Sequence, residues 1–313
     1  MNWKRKTGKE KLDIREKDNV IWLEFPSLAE TGMVRHGFST RMGGVSEGIF
    51  ASMNFTFTRG DNPDHVMENY QRMASVLGVD VNRMVLSWQT HTTNVRRVTG
   101  EDAGKGLFRE RDYRDVDGLI TDVPGLTLVT FYADCVPLYL LDPVHRAIGL
   151  SHSGWRGTVN RMGQVTLDAM KKAYVTKAED VIACIGPSIC QDCFEVGEEV
   201  AEAFAEVLDP KYLPQLYYRK DNGKYQLDLW LANEILFREA GVKPEKIHIT
   251  DICTHCNPKL LFSHRTAGNE RGNLAAFLCL NDEKPYRREE IRNENYGNRL
   301  QREREIHFGG VFG

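Results

Sequence analysis

The sequence predicts an α/β (α+β) fold, a single layered domain with mixed β-sheets flanked by helices. Short, continuous apolar segments bounded by Gly, Pro and Asp alternate with amphipathic segments of helical spacing. Several predicted strands follow one another directly, and no GxGxxG fingerprint is present. Both features favour mixed over purely parallel sheets.

The first predicted elements precede the charged loop at 100–115. A helix is predicted from Asn62 to Leu77, because Val66, Tyr70 and Met73 lie at helical spacing and Gly78 follows as a stop signal. Strands are predicted at 20–25, 84–88 and 94–98.

Three apolar, β-branched segments at 126–132, 136–141 and 147–150 predict consecutive buried strands. Polar residues between and after such segments fall where strands emerge into loops, the usual place for binding and catalytic groups. Cys135 and His152 occupy two of these positions, and His91 follows another apolar segment.

The C-terminal half again mixes strands with helices. A helix is predicted to begin after Gly154 and to run to about residue 174. The remaining predicted elements are a strand at 181–186, helices at 194–208 and 226–239, and strands at 247–252 and 274–280.

Composition divides the chain into three parts. Residues 1–19 are charged and are expected to be a frayed N-terminal extension. Residues 20–280 carry the predicted elements and are expected to form one catalytic domain. Residues 281–313 are dense in charge and poor in apolar residues, which predicts a disordered tail or a lone solvated helix.

Length and charge limit the class of protein. With 313 residues, 41% of them hydrophobic, the chain can bury a sizeable core. A net charge of −3 argues against nucleic-acid and membrane-surface binding. The N-terminus lacks the apolar h-region of a secretory signal. No apolar segment approaches the ~20 residues of a membrane span. The seven cysteines suit a reducing compartment. We therefore expect a cytoplasmic protein, and no protein partner is indicated.

Two chemistries fit His91, Cys135 and His152. Taken singly, a cysteine beside a strand is most often a small buried hydrophobe, and a core histidine is most often only hydrogen-bonded. Two histidines and one cysteine at three strand ends can instead form a three-ligand zinc site with an open fourth position. A Cys–His pair could equally act as a nucleophile and its base. Spacing alone does not choose between these alternatives.

Two further features are open to a functional or a structural interpretation. Gly154 and Gly157 flank Arg156 at a predicted helix start, which could bind an anion or could merely form a turn. Two CxxC pairs, at 190–193 and 253–256, have the pattern of a zinc ribbon. Their separation is far longer than in common ribbons, which favours incidental cysteines, and no βαβ unit begins at either pair to suggest thioredoxin-like chemistry.

Three segments resemble the signature segments of the laccase-domain family: QTH around His91, ADCVP around Cys135 and HSGWRG around His152. Members of this family were first labelled multicopper polyphenol oxidoreductases and are now described as purine nucleoside phosphorylases. The resemblance covers roughly 34–280 and includes HGFSTRMGGVS, MNFTFTRGDNP, IGPSI, CFEVGEEV and LFSHR. It departs at Phe57-Thr58 and at 269–273, where a Thr-Gly-Arg-like turn is expected and its ligand contact is in doubt.

The resemblance implies that His91, Cys135 and His152 are zinc ligands. It also implies phosphorolysis of adenosine and inosine to free base and ribose 1-phosphate, together with adenosine deamination and cleavage of methylthioadenosine. Asp134, adjacent to Cys135, is the candidate proton shuttle for deamination. The H-x-E sequence of the usual zinc deaminases is absent around both histidines.

Four residues are candidates for binding substrate or phosphate. Arg41 and Arg156 could hold phosphate against C1′ of the ribose. Gln89 and Arg265 lie in family segments and are candidate ligand contacts.

Three alternatives belong to other classes. The first is a metal-independent cysteine hydrolase or deamidase that uses Cys135 and His152. The second is a copper-dependent, laccase-like polyphenol oxidase. Only nine histidines are available for several copper centres, although copper would bind a His/Cys/His site tightly. The third is a binding module in which the metal is purely structural.

Overall fold

The computed structural model describes residues 2–282, so the predicted charged tail lies outside the described residues apart from its first two positions. The strands are β1 (Asp13–Lys17), β2 (Val20–Glu24), β3 (Val34–Ser39), β4 (Met84–Leu86), β5 (Val95–Arg97), β6 (Gly118–Thr121), β7 (Thr127–Tyr132), β8 (Val136–Asp142), β9 (Ala147–Ser153), β10 (Ile182–Ile185), β11 (Glu195–Val196), β12 (Tyr217–Arg219), β13 (Tyr225–Leu227), β14 (Ile247–Ile249) and β15 (Leu274–Leu280). The α-helices are α1 (Pro26–Ala29), α2 (Pro63–Leu77), α3 (Trp155–Val159), α4 (Met162–Tyr174), α5 (Glu198–Val207), α6 (Leu213–Leu216), α7 (Leu229–Glu239) and α8 (His264–Ala267).

The strands form two six-stranded sheets and one small sheet. The first sheet has the order β1-β2-β3-β15-β7-β4, the second β14-β10-β8-β9-β6-β5, and the third β11-β13-β12. Three neighbouring pairs, β4–β7, β5–β6 and β10–β14, are parallel, and the other pairs are antiparallel. The predicted fold class, with mixed sheets and flanking helices, is confirmed.

Successive side chains of the central strands point to opposite faces of each sheet, and this alternation explains the layered packing. Leu128 of β7 points into the core shared by the two large sheets, while its neighbour Val129 packs with Tyr70 of α2. On β8, Leu141 joins the shared core, whereas Leu140 packs beneath α4 and α7. Because successive side chains of a strand point to opposite faces, both sheets are apolar on both faces. The layers therefore run α2, first sheet, second sheet, then α4 and α7.

Helix α2 matches its prediction closely. Asn62 caps it by accepting a hydrogen bond from the backbone N–H of Asp64 at 2.9 Å, and Pro63 occupies the first turn. Gly78 ends the helix in the left-handed region, with φ of 67°. In the described part of the chain, no helix combines the length and apolarity that a membrane span requires.

Other helix boundaries differ from prediction because backbone geometry or strand pairing intervenes. The single helix expected after Gly154 is two helices, α3 and α4, separated at Arg161, which adopts a left-handed φ of 58°. The predicted helices at 194–208 and 226–239 begin later than expected. Their first residues form β11 and β13, which pair through Glu195 and Gln226.

The N-terminal segment is ordered, contrary to the expected frayed extension. Strand β1 pairs with β2 and extends the first sheet by one strand. Leu12 is buried in the shared core, and the backbone N–H of Lys6 donates to the carbonyl of Asp251 at 2.7 Å. Arg5 forms an ion pair with the carboxylate of Asp251. Residues 2–19 therefore pack onto the domain that was predicted to begin at residue 20.

Sheet topology brings four loops to one edge. The β4–β5 and β7–β8 connections both cross from the first sheet to the second, and they leave from the same edge because β4 and β7 are parallel. Strand β8 begins where β9 ends, since Pro137 pairs with His152. Strand β6 also begins there, because Gly118 pairs with Ser151. Residues that are distant in the sequence therefore meet at this edge.

Val175 offers a test of the backbone geometry. It caps α4 in the left-handed region, with φ of 61°, and its side chain is 70% exposed, so packing does not compensate for the strain. Val175→Gly should raise the free energy of unfolding by about 1 kcal/mol. Gly78→Ala, at the matching position of α2, should lower it by a similar amount of about 1 kcal/mol. Urea denaturation measures both, and a Val175→Gly protein no more stable than the parent would contradict the assignment.

Candidate active site

The three predicted ligand residues converge at the shared edge. The ligand atoms of His91, Cys135 and His152 lie within 4.8 Å of one another. The Cys135 Sγ atom is 3.9 Å from His91 Nε2, and the two imidazole rings meet edge to face with centroids 4.9 Å apart. His91 lies on the β4–β5 connection, Cys135 on the β7–β8 connection, and His152 near the end of β9.

Asp117 organises this triad from beneath. Its carboxylate is fully buried, and Oδ2 accepts hydrogen bonds from His152 Nδ1 at 2.8 Å and from the backbone N–H of His91 at 3.1 Å. Oδ1 accepts from the backbone N–H groups of Thr90 and Thr92 at 2.9 and 3.1 Å. The sequence analysis did not identify Asp117 as a site residue. Its position directly before a fully buried strand was the available signal, since a buried carboxylate needs partners.

Two backbone features keep the triad in place. His91 has a φ of 66°, which is uncommon for a residue other than glycine, and its N–H donates to Asp117. Gly154 lies against the other side of the site. A Cβ at this position would come within 3.1 Å of both Cys135 Sγ and His91 Cδ2. A side chain at this position would therefore press on both Cys135 and His91 unless they moved by a few tenths of an ångström.

The electrostatics of the three side chains favour a thiolate at Cys135. Burial alone would raise the pKa of Cys135, but His152 and His91 outweigh it and lower the pKa to about 6. Burial lowers the pKa of His152, whereas Cys135 and Asp117 raise it to about 9. Burial would also raise the pKa of Asp117, yet the hydrogen bonds it accepts, first from His152, hold that pKa below its usual value. At neutral pH the sulfur is thus deprotonated, as metal coordination requires.

A cavity with two lobes surrounds the triad. The lobes have volumes of about 350 and 290 Å³, and they share Arg59, His91, Ala133, Cys135 and Arg271 as lining residues. The first lobe is further lined by the rings of Phe57, Trp88 and Phe131 and by Arg111, and contains no carboxylate; the second is lined by Trp155, Phe194, Leu229, Arg265 and Asp134. The lobes therefore meet at Cys135, in an environment that is apolar and positively charged.

Comparison with known proteins identifies the family. The family described as multi-copper polyphenol oxidoreductase laccase matches residues 35–281. The chain belongs to this laccase-domain family. The match spans nearly the same residues as the resemblance seen in the sequence, which is confirmed.

Relatives of the laccase-domain chain carry two activities in their names. It is 36% identical to a purine nucleoside phosphorylase of Bacteroides thetaiotaomicron over 260 residues, covering 82% of this chain and 96% of that protein. It is 34% identical to the adenosine deaminase RL5 of an unknown prokaryotic organism, covering 81% and 97%. The crystal structure of YlmD from Geobacillus stearothermophilus has a TM-score of 0.79 at 32% identity, covering 86% of this chain and 99% of that chain.

The triad of this laccase-domain chain fits a zinc ion. Two imidazole nitrogens and one thiolate are a donor set that zinc accepts, and three protein ligands leave a fourth position open. The Asp117–His152 hydrogen bond is the carboxylate support that metal-binding histidines usually have. Among the groups of three or more candidate ligands within residues 2–282, only this triad contains histidine. The described part of the chain therefore offers no second histidine cluster for a multicopper centre.

Arg271 is a cavity residue that the sequence analysis missed. It belongs to the 269–273 turn, where the chain departs from the family pattern and the ligand contact was in doubt. Its side chain nevertheless lines both lobes and is only 7% exposed, and its Nε–H has no hydrogen-bond partner. Burial, followed by the nearby charge of Arg59, lowers the pKa of Arg271 to about 10. Arg271 remains a cation at neutral pH with an unsatisfied donor beside the triad.

Asp134, Arg265 and Gln89 line the cavity but are already hydrogen-bonded. Asp134 accepts from Thr254 Oγ1 at 2.6 Å, from Ser263 Oγ at 3.0 Å and from the backbone N–H of Arg265 at 2.7 Å. The Arg265 guanidinium donates to two backbone carbonyls at the rim of the second lobe. The Gln89 amide bonds to the N–H and C=O of a strand β7 residue, at 2.6 and 2.8 Å.

Arg41 and Arg156, the predicted phosphate ligands, lie outside both lobes. Arg41 donates to the carbonyls of Ala51 and Pro258 at 2.8 and 3.0 Å. Arg156 is exposed, with its guanidinium 4.3 Å from the ring centroid of Trp155. The first turn of α3 brings Trp155 into the second lobe, whereas Arg156 is at the surface. Neither guanidinium lines the cavity around the triad.

Asp117→Asn should weaken zinc binding at the triad by about 10- to 100-fold, because it removes the charge that orients His152 and raises its basicity. Competition against a chromogenic chelator would measure the affinity, with His91→Ala defining the signal from the triad. Asp115→Asn is the matched control, since Asp115 is exposed and only two residues away. Unchanged affinity in Asp117→Asn would contradict the supporting role.

In metal-free protein, alkylation of Cys135 by iodoacetamide should accelerate as the pH rises through about 6, the pKa to which the two histidines lower this thiol. The direction follows because only the thiolate reacts. Cys135→Ala supplies the background from other cysteines, and zinc should protect the residue. A midpoint near the ordinary thiol value of about 8.5 would show that the histidines do not act on Cys135.

Proposed function

We propose that this protein is a zinc-dependent purine nucleoside phosphorylase that acts on adenosine and inosine. The observation that carries the proposal is the convergence of an aromatic, arginine-lined cavity on the His91–Cys135–His152 triad. The name of the Bacteroides thetaiotaomicron relative supports the reaction class. The free thiols of the chain support the expected cytoplasmic setting.

His91, Cys135 and His152 are the proposed zinc ligands. Bound there, zinc would supply a Lewis acid with an open coordination position. Asp117 orients His152 through Nδ1, so that Nε2 is left to face the metal position. His91 separates this proposal from a simple Cys–His pair, because a third donor is needed by a metal and not by a thiol nucleophile.

Phosphate is proposed to bind where the lobes meet. Arg271 and Arg59 line both lobes, and we propose that their guanidinium groups donate to phosphate oxygens. Arg111 adds a third guanidinium to the first lobe. No carboxylate lines that lobe, and a zinc ion bound to Cys135 would offset the charge of its thiolate. These residues replace Arg41 and Arg156 in the proposed phosphate site.

The first lobe also suits a purine. The rings of Phe57, Trp88 and Phe131 line this lobe, and we propose that the base packs against them. In phosphorolysis a phosphate oxygen bonds to C1′ of the ribose while the bond from C1′ to the purine nitrogen breaks. The departing base takes up a proton, and ribose 1-phosphate is released. The arginines hold the nucleophile against C1′, which lowers the entropic part of the barrier.

Adenosine deamination and phosphorolysis of methylthioadenosine are proposed as further activities of the same site. The relative named adenosine deaminase RL5 supports the first of these. Asp134 is adjacent to Cys135, but both of its oxygens accept hydrogen bonds from protein groups. We therefore propose that Asp134 positions the wall of the second lobe, and that it moves a proton only if one of these hydrogen bonds is exchanged.

The specific competitor is a metal-independent cysteine hydrolase. It is favoured by one observation, the Asp117–His152–Cys135 series, in which a buried carboxylate orients an imidazole next to a thiolate. Such an enzyme would keep full activity after chelation and would form a covalent adduct at Cys135. The phosphorylase would do neither.

The proposal is tested with purified protein of known metal content. Adenosine, inosine and methylthioadenosine would be supplied with and without phosphate, and free base, sugar 1-phosphate and ammonia would be followed together. We expect base release that depends on phosphate and on zinc and is lost in Cys135→Ala and His152→Ala. Copper-loaded protein tests phenol oxidation in parallel. No nucleoside turnover in zinc-loaded protein would refute the proposal.

Arg271→Ala should raise the KM for phosphate about tenfold or more, because a charge-assisted hydrogen bond contributes about 1.5–3 kcal/mol. The KM for the nucleoside should change much less. Arg156→Ala is the matched control and should leave both constants unchanged, since Arg156 is exposed and outside the cavity. Equal effects on the two substrates, or an effect in the control, would contradict the assignment of the phosphate site.

A further inference from the structure

The structure brings the two CxxC pairs together despite their separation in the sequence. Cys190 and Cys193 follow β10, and Cys253 and Cys256 follow β14. Strands β10 and β14 are parallel neighbours, so their C-terminal ends lie at the same edge of the sheet. The pairing continues beyond the strands, because Ser188 bridges to Cys253. The two pairs are therefore adjacent in space because β10 and β14 pair in parallel, although their separation in the sequence favoured incidental cysteines.

The four sulfurs form a compact cluster. All four Sγ atoms lie within 4.8 Å of one another, and Cys193 Sγ is 3.5 Å from Cys256 Sγ. Tetrahedral zinc with bonds of about 2.3 Å requires sulfur–sulfur separations of about 3.8 Å. The observed spacing needs only small adjustments to meet this requirement. A single disulfide joins two sulfurs, so it would not account for the convergence of all four.

Hydrogen-bond donors and one cation surround the cluster. The backbone N–H groups of Cys190 and Cys256 donate to Cys253 Sγ at 3.3 and 3.4 Å. Hydrogen bonds to sulfur stabilise its charged form. Lys6, from the N-terminal segment, lies close to Cys190 and Cys256 and forms an ion pair with Asp192 at 2.8 Å.

We propose that Cys190, Cys193, Cys253 and Cys256 bind a structural zinc ion, separate from the triad. Four thiolates in a closed tetrahedral set leave no open position, which distinguishes this site from the His/Cys/His site. Soft sulfur ligands in this geometry select zinc or iron, and zinc needs no redox partner. The proposal does not depend on the activity of the triad.

This zinc would fix one wall of the cavity. Thr254, between the second pair of ligands, donates to Asp134 Oδ1 at 2.6 Å. The carbonyl of Cys193 accepts from the guanidinium of Arg265 at 3.2 Å, and Phe194 follows it in the second lobe. Linking the two cysteine pairs thus holds Asp134, Phe194 and Arg265 in position. Loss of the ion should loosen the second lobe without touching the triad itself.

The decisive experiment counts and characterises zinc in the full-length protein purified under reducing conditions. We expect two zinc ions per chain, one lost in Cys253→Ala and a different one lost in His91→Ala. Cys184→Ala is the matched control, since Cys184 is equally buried but lies outside the cluster, and it should keep both ions. X-ray absorption at the zinc edge of the His91→Ala protein should show four sulfur neighbours.

Several results would overturn the proposal. These are a single zinc that disappears in His91→Ala, iron in place of zinc at the cluster, or an intact mass lower by four hydrogens, which would mean two disulfides. If Cys253→Ala does not fold, Cys193→Ala tests the same site at a half-buried position. The absorption measurement on His91→Ala needs no cysteine variant. A second zinc with nitrogen or oxygen neighbours there would equally refute the assignment.

Discussion

The site depends on one buried carboxylate. Asp117 is taken out of water at the start of β6, where an ionised group is tolerated only because hydrogen-bond donors surround it. Those donors are the ring of His152 and the backbone of the loop that carries His91. Satisfying the charge therefore fixes the position of both histidines. The positions of Cys135 and Gly154 follow from the strands that end beside this carboxylate.

The cavity around Asp117 and the triad combines aromatic rings with positively charged side chains. Aromatic faces and guanidinium groups share one cavity, so a flat, uncharged base and a doubly charged anion can be held next to each other. The donors of the triad lie where the lobes meet and can therefore act on either occupant. The same geometry would serve a thiol nucleophile, and the third donor, His91, is the feature that favours a metal.

Local pattern was enough to predict the fold class, helix α2 and the central strands, because these depend on burial. It also placed His91, Cys135 and His152 at strand ends, which the structure brings together. It failed where the outcome depended on partners distant in the sequence. The start of α5 was misplaced because Glu195 pairs with a strand some thirty positions later. Arg156 was favoured by its glycine-flanked segment, while Arg271 was overlooked because its turn departs from the family pattern. The direction of a side chain on a short helix or turn is decided by tertiary packing, which no local window contains.

The two crossings between the large sheets have a consequence for engineering. Each crossing carries one member of the triad, and the third member, His152, lies on β9 of the second sheet. The two donors on the crossings are therefore placed only when both sheets are packed together. Split-protein reporters, or chimaeras that exchange one sheet, would thus not bind metal at the triad until both halves had associated in the native register. Recovery of metal binding would then report correct assembly of the two halves.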